Sequence, residues 1–161
     1  MLKRGHPLGA VIEPEVAGIR KPRKKLFANS PLTFLDLGDS SQIIESIRKG
    51  LPASTIDFVA GLLSLSRAAF LDAIKIAPST IERRIRTGEA LTSDESDRVS
   101  RVAKVMRRAV EVFGAEAPGK AWMTDAVSSM GGQTPLSLLD TVEGYELVSN
   151  TLSRIEFGVY G

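Results

Sequence analysis

The chain has 161 residues, 43% of them hydrophobic and 25% charged, which is enough for one globular domain or two small ones with a real core. The absence of cysteine excludes a disulfide framework and thiolate chemistry, and no apolar run is long enough to span a bilayer. The net charge of +2 divides unevenly, because residues 1–113 carry nineteen basic and thirteen acidic side chains whereas residues 114–161 carry two and six. The basic N-terminal part suits binding to nucleic acid and the acidic C-terminal part suits binding to a protein surface, although solvated surface charge explains part of this difference.

The first predicted element is an irregular arm over residues 1–39. Four prolines, at positions 7, 14, 22 and 31, and several glycines interrupt any helix there. The cluster Arg20-Lys21-Pro22-Arg23-Lys24-Lys25 is either a solvated linker or an arm that contacts phosphates. We therefore expect a flexible basic arm that proteases cut first.

Helical patterns begin at Asp39 and continue to the end of the chain. Ser40 or Ser41 is predicted to cap a helix that stops at Gly50, and further helices begin at Ser54 and near Ser66. The apolar positions of the first of these helices are Ile43, Ile44 and Ile47. With no convincing strand, the pattern predicts an all-α fold.

Two short helices joined by a four-residue turn then describe a helix-turn-helix. Pro78 is well placed at the entry of the second helix, which runs from Ser79 to Thr87 and is ended by Gly88. Ile81 and Ile85 lie four residues apart, so both are predicted to face the core.

This second helix is the candidate DNA reader. With the two isoleucines inside, Arg83 and Arg84 are left to face outward, where arginine can fork onto guanine or bind phosphates. The predicted DNA-binding residues are Lys75, Ser79, Thr80, Arg83, Arg84 and Arg86. A solvated, charged helix face is the alternative interpretation.

A long helix follows and is predicted to join the two halves of the chain. Thr92 and Glu95 have the spacing of a capping box, and an apolar stripe continues to Gly114. The basic residues predicted on its wetter side are Arg98, Arg101, Lys104, Arg107 and Arg108. Residues 40–113 are therefore predicted to form the DNA-binding domain.

Residues 114–161 are predicted to form a smaller helical domain. Pro135 starts a short helix, Thr141 caps the final one and Gly158 ends it. The predicted apolar face of the final helix comprises Val142, Tyr145, Leu147, Val148, Leu152 and Ile155. Beyond it stands an apolar and aromatic tip, which either folds back on its own core or enters a partner.

An enzyme is not expected. The single histidine is His6, in the arm, so no histidine-based triad or metal site can be assembled from ordered residues. The carboxylates fit capping or surface positions, and no glycine-rich loop follows a strand. We expect no catalytic residue, no metal and no cofactor, in a cytoplasmic protein with no membrane partner.

Several segments, in order and with matching spacing over roughly residues 50–161, resemble the MbcA/ParS/Xre antitoxins, the partners of RES-domain toxins. Ser79-Thr80-Ile81-Glu82-Arg83-Arg84 resembles their T-L-x-R-R segment, and Lys120-Ala121-Trp122-Met123 resembles their A-x-x-W-L. Leu91 with Glu95-Ser96-Asp97-Arg98-Val99 resembles L-x-x-x-E-S-x-R-L. The end of the chain matches P-L-x-L-L-D-T-x-E-G, from Pro135 to Gly144, and then I-E-x-G-V-Y, from Ile155 to Tyr160.

The resemblance implies a Cro/Xre-like helix-turn-helix half and a C-terminal half that neutralises a RES-domain toxin, a family that consumes NAD. It also implies a homodimer that binds operator DNA and represses its own operon, and an antitoxin that itself binds no NAD. The residues expected to bind the toxin, with the tip entering its NAD site, are Glu143, Tyr145, Glu146, Arg154, Glu156, Phe157, Gly158, Val159, Tyr160 and Gly161.

Two other interpretations remain open at this point. A helix-turn-helix repressor with a C-terminal oligomerisation or sensing domain explains everything before Gly114, but gives no reason for the apolar terminus. A pure protein adaptor would treat the arginines of the reader helix as solvated, and salt-dependent binding to DNA would distinguish it.

Overall fold

The computed structural model describes residues 25–158, which are helical apart from turns and one isolated antiparallel β-bridge between Val127 and Gln133. The α-helices in this range are α1 (Thr33–Leu37), α2 (Ser40–Lys49), α3 (Thr55–Leu62), α4 (Arg67–Ala73), α5 (Pro78–Thr87), α6 (Ser93–Phe113), α7 (Glu116–Thr124) and α8 (Val142–Glu156). Short 3-10 helices at Ser128–Met130 and Leu136–Leu138 precede α8. The all-α prediction is confirmed. Over residues 25–158, no helix has both the length and the apolar character needed to cross a membrane.

Helix α6 is the central element of the fold. It begins with the predicted capping box: the Glu95 amide donates to Thr92 Oγ1 at 3.2 Å, and the Thr92 amide donates to Glu95 Oε2 at 2.8 Å. Its apolar side is buried against α2, α3, α7 and α8. The buried hydrophobic residues of α6 are Val99, Val102, Ala103, Val105, Met106, Ala109 and Val110.

Residues 25–39 fold onto this helix rather than forming an irregular arm. Phe27, Leu32 and Leu35 are almost fully buried, and the guanidinium of Arg107 lies 5.9 Å from the centre of the Phe27 ring. The Phe27 amide donates to Asp36 Oδ2 at 2.8 Å. Pro31 lies in the turn before α1, but the buried side chains pack against residues far along the chain. The expected arm is thus wrong for residues 25–39, and residues 1–24 lie outside the described range.

Helix α2 begins one residue earlier than the predicted caps allow. Asp39 is the N-cap and its carboxylate accepts from the Gln42 amide at 2.9 Å, so the prediction of Ser40 or Ser41 as the cap is wrong. The carboxylate also suits the positive end of the helix dipole. The helix stops at Gly50 (φ 94°), where a Cβ would lie 2.3 Å from the Leu91 carbonyl oxygen.

The helix-turn-helix has the predicted boundaries within a residue. Ser66 caps α4 by accepting from the Ala69 amide at 3.1 Å. Pro78 is the first residue of α5, and Gly88 ends that helix in the left-handed conformation with φ 75°. Fully buried side chains from α3, α4, α5 and the intervening turn, namely Ile56, Val59, Phe70, Ile74 and Ile81, hold the three helices together.

The C-terminal helices pack closely against α6. Gly119 of α7 lies so near to α6 that a Cβ there would meet the Val110 amide nitrogen at 3.0 Å. The rings of Phe113 and Trp122 stack at a tilt with their centres 5.9 Å apart. In the described residues one continuous hydrophobic core extends from Phe27 to Leu152. The two predicted domains, residues 40–113 and 114–161, therefore share one hydrophobic core.

Candidate functional site

The first candidate surface is the outer side of α5. Ile81 is fully buried beneath it, and this leaves Ser79, Arg83 and Arg86 exposed. Thr80 is half-buried at the edge of the helix, and Lys75 is exposed in the preceding turn. These five predicted DNA-binding residues therefore occupy or border one surface.

The turn before α5 is held by a side chain of α6. Lys75 adopts a left-handed backbone conformation with φ 58°. Arg98 Nη1 donates to the carbonyl oxygen of Lys75 at 2.9 Å and more weakly to that of Ile74 at 3.4 Å. Since Arg98 satisfies these carbonyls, the turn keeps a fixed geometry and presents α5 at a fixed angle.

Arg83, on the outer side of α5, forms an ion pair that is exposed to solvent. Its Nη1 lies 3.4 Å from Glu89 Oε2, and each side chain is about half exposed. Exposed pairs of this kind contribute about 0–1 kcal/mol. Arg83 can therefore exchange Glu89 for a phosphate or a base at little cost.

Arg84 does not face outward, so that prediction is wrong. Its side chain is only 13% exposed, and its Nε lies 3.1 Å from Glu95 Oε2. It also approaches Glu89 Oε2 at 3.4 Å and donates to the Ala90 carbonyl oxygen at 3.3 Å. Arg84 is thus a structural residue that joins α5 to the start of α6.

Ile85 takes the position that Arg84 was predicted to hold. It is 39% exposed, whereas the sequence pattern places it in the core beside Ile81. A helix has 3.6 residues per turn, so the position one turn after Ile81 is shared between residues 84 and 85. The carboxylate of Glu95 gives Arg84 a partner inside, and α5 is rotated accordingly.

An ion pair fixes the start of α4 to α3. Arg67 Nε and Nη2 donate to the two carboxylate oxygens of Asp57 at 2.7 and 2.6 Å. The hydrogen bond from Arg67 lowers the pKa of the Asp57 carboxyl below its ordinary value, and Asp57 raises the pKa of Arg67. Both groups stay charged at neutral pH, so this bidentate pair orients the helix-turn-helix.

The second candidate surface is α8, and its position depends on one glycine. Thr141 caps the helix as predicted by accepting from the Gly144 amide at 3.0 Å. A Cβ on Gly144 would lie 1.7 Å from the Leu138 carbonyl oxygen. The glycine in the Asp-Thr-x-Glu-Gly segment is therefore required for the close approach of α8 to the preceding 3-10 helix.

The outer face of α8 is more apolar than predicted. Of the predicted apolar face, Val148 and Leu152 are buried, whereas Val142 is 56% and Leu147 44% exposed, so the six residues do not all lie on one buried face. Phe157, directly after the helix, is 75% exposed. Exposed apolar side chains thus occur at the start of α8, in its middle and directly after its end. Adjacent residues of a helix point in different directions, so the sequence alone already indicated that Leu147 and Val148 do not face the same way.

The polar residues of α8 that were predicted to bind the toxin differ in exposure. Glu143, Glu146 and Arg154 are exposed to solvent, whereas Tyr145 is half-buried against the core. Glu156, a predicted toxin-binding residue, forms a bidentate ion pair with Arg108 of α6, including an Nη1–Oε1 contact of 3.1 Å. Glu156 therefore holds the end of α8 in place and is not a free carboxylate.

The chain leaves α8 at Gly158, which adopts the left-handed conformation with φ 67°. This agrees with the prediction that Gly158 ends the helix. The remaining predicted toxin-binding residues, Val159, Tyr160 and Gly161, lie outside the described range.

Comparison with known proteins matches both halves of the chain. Residues 42–104 match the model of the antitoxin Xre-like helix-turn-helix domain, and residues 108–158 match that of the antitoxin Xre/MbcA/ParS C-terminal toxin-binding domain. An antitoxin Xre from Yersinia enterocolitica is 33% identical over 73% of this chain and 80% of its own length. A second antitoxin Xre, from Photorhabdus laumondii, is 32% identical over 70% and 77%. A Prs ADP-ribosylating antitoxin from Sphingobium is 27% identical over 89% and 96%.

Proposed function

The chain belongs to the Xre/MbcA/ParS antitoxins, and we propose that it neutralises a RES-domain toxin that consumes NAD. The toxin is bound by residues 114–161, and residues 40–113 bind operator DNA and repress the operon that encodes the pair. The antitoxin acts in the cytoplasm by binding, without catalysis and without a cofactor of its own.

The outer face of α8 carries the toxin-binding part of the proposal. Val142, Leu147 and Phe157 leave apolar surface in water, and burial of such surface contributes about 25 cal/mol per Å². Large apolar side chains left exposed in this way are typical of surfaces that bind another protein. Glu143 and Glu146 are exposed on the same helix and would complement a basic partner.

The tip carries the inhibitory part. Gly158 adopts the left-handed conformation with φ 67°, which ends the helical backbone directly before this tip. We propose that this tip enters the toxin's NAD site, with Tyr160 as an aromatic anchor. Binding and inhibition are then carried by neighbouring but separate residues.

The DNA-binding part rests on the exposed cations of α5. Arg83 and Arg86 point away from the core, with Ser79 at the N-terminal end of the helix and Lys75 beside it. In a homodimer, two such helices address half-sites about 34 Å apart. The internal pairing of Arg84 removes that residue from the proposed contacts.

Truncation of the tip tests the inhibitory mechanism. Removing Val159–Gly161 should leave helical content, DNA binding and most of the toxin affinity intact, while NAD consumption by the toxin is restored. Isothermal titration with purified RES toxin and an NAD-depletion assay measure the two properties separately. As a matched control, Ile85→Glu alters the exposed apolar residue of α5 and should leave toxin inhibition unchanged. If the truncated chain inhibits as well as the full chain, inhibition comes from the α8 face instead.

A further inference from the structure

The outer face of α2 is a surface that neither proposed activity uses. Within residues 25–158, α2 has no fully buried residue, although every other helix buries at least one. Ile43 and Ile47 are half-buried on its inner side. Ile44 is 47% exposed, and Leu37, at the end of α1, is 66% exposed.

The exposed stripe of α2 is also charged. It comprises Ser41, Ile44, Glu45, Arg48 and Lys49, all of them exposed to solvent. Glu45 and Arg48 are three residues apart and make no ion pair with any described residue. The apolar Ile44 therefore lies beside one acidic and two basic side chains, and none of these three forms an ion pair with another described residue.

We propose that this stripe is the contact with a second copy of the chain. In an antiparallel pair of α2 helices related by a two-fold axis between positions 45 and 48, Glu45 faces Arg48 of the partner subunit. The symmetry repeats the same pair on the other side of the axis. Ile44 then lies against the aliphatic stem of Lys49 of the partner subunit. The pattern is self-complementary, as an isologous interface requires, and Leu37 extends it onto α1.

Helix α2 is connected to the helix-turn-helix by backbone contacts. The end of α2 touches the segment after α5, since Gly50 packs on the Leu91 carbonyl and the Leu91 amide donates to the Leu51 carbonyl oxygen at 2.8 Å. A dimer contact through α2 would therefore be made by a helix whose end is in backbone contact with the segment after α5. The inference deepens the homodimer in the proposed function by assigning its surface.

Charge exchange tests the assignment without DNA or toxin. Sedimentation equilibrium of the full chain should show a reversible dimer. Each of Glu45→Arg and Arg48→Glu places like charges opposite each other and should weaken self-association by about tenfold or more. The double variant Glu45→Arg/Arg48→Glu restores both pairs and should return the dissociation constant to within about threefold of the original.

Matched variants keep the test decisive. Ile44→Glu should dissociate the dimer, whereas Leu147→Glu, a residue of similar exposure on α8, should not; circular dichroism verifies that each variant is folded. A chain that stays monomeric at high micromolar concentration overturns the assignment, and so does a dimer that survives Ile44→Glu. If Ile44→Glu weakens toxin binding in a monomeric chain, the toxin occupies α2 and the assignment is again wrong. Because no outcome depends on operator affinity, failure here leaves the DNA-binding proposal standing.

Discussion

Glu95 and Arg84 lie in contact, with 3.1 Å between Oε2 and Nε and with both side chains largely shielded from solvent. The same carboxylate accepts from the Thr92 amide in the capping box that starts α6. One side chain thus begins the central helix and sets the rotation of the reader helix. This relationship separates the structural arginine of α5 from the exposed arginines, Arg83 and Arg86, that are proposed to contact DNA.

Replacing the exposed arginines of α5 with alanine is expected to weaken operator binding without destabilising the fold. Arg83→Ala with Arg86→Ala should lower operator affinity by about 1–3 kcal/mol for each base contact, or reduce the salt slope by about one for each phosphate contact. The free energy of unfolding should hardly change, since the Arg83 pair with Glu89 is exposed. Fluorescence anisotropy with operator DNA at several salt concentrations measures both quantities.

Arg84→Ala is the complementary case. It removes a shielded partner of Glu95 and should destabilise the fold by about 1–3 kcal/mol in urea unfolding. Arg84→Met keeps the aliphatic stem and separates the lost charge from the lost packing. Full stability of Arg84→Ala together with weaker operator affinity would return Arg84 to the DNA contacts.

Leu147→Glu is expected to weaken the toxin complex without unfolding the chain. The side chain is 44% exposed, so a carboxylate there stays hydrated in the free antitoxin but is buried when the partner covers α8. The expected loss of affinity is about 2 kcal/mol or more. The control is Ile85→Glu, which makes the same chemical change on α5. Equal effects of the two substitutions on toxin affinity would contradict the assignment of α8.

Gly144→Ala is expected to destabilise the C-terminal half. The added Cβ would lie 1.7 Å from the Leu138 carbonyl oxygen, so the backbone must shift, at a cost of about 2–3 kcal/mol. Gly158→Ala is the control: its surroundings are open and only its left-handed φ of 67° opposes alanine, at about 1 kcal/mol. Urea unfolding of both variants gives the comparison, and equal losses would mean that the close approach at Gly144 relaxes freely.

Lys104 provides a prediction for pH. Burial lowers the pKa of this half-buried ammonium below its ordinary 10.5, with Asp97 opposing the shift and Arg107 and Arg101 adding to it. A folded-state pKa below the unfolded value means that the charge opposes folding below the folded pKa, and that the penalty fades as pH rises to 10.5. Lys104→Met should therefore raise stability at pH 7, with a gain that shrinks toward pH 10.5. Thermal unfolding at both pH values tests it, and a gain that is constant with pH would refute it.

The helix-turn-helix was predictable because local signals determine it. Ser66, Pro78 and Gly88 act through backbone groups of their own helices, and a side chain a few residues away is sufficient to begin or end each element. The capping box of α6 and the threonine cap of α8 are local in the same way.

The orientation of side chains across helices was less predictable. Whether Arg84 or Ile85 faces inward depends on Glu95, which belongs to another helix, and hydrophobicity alone favours the isoleucine. Phe27 likewise packs beside Arg107, eighty residues later in the chain. Contacts of this range leave no periodic pattern in the sequence.

The arginines of α6 reach four separate segments of the molecule. Arg98 holds the turn before α5, and Arg101 donates to the Leu139 carbonyl oxygen at 3.2 Å ahead of α8. Arg107 donates to the Leu35 carbonyl, and Arg108 pairs with Glu156. Exposed residues of α5 and α8 are therefore free to diverge, whereas recombination that joins the front of one antitoxin to the back of another would break several of these contacts at once. A chimera of two such antitoxins is therefore expected to stay folded only if the whole of α6 is transferred together with its carbonyl and carboxylate partners.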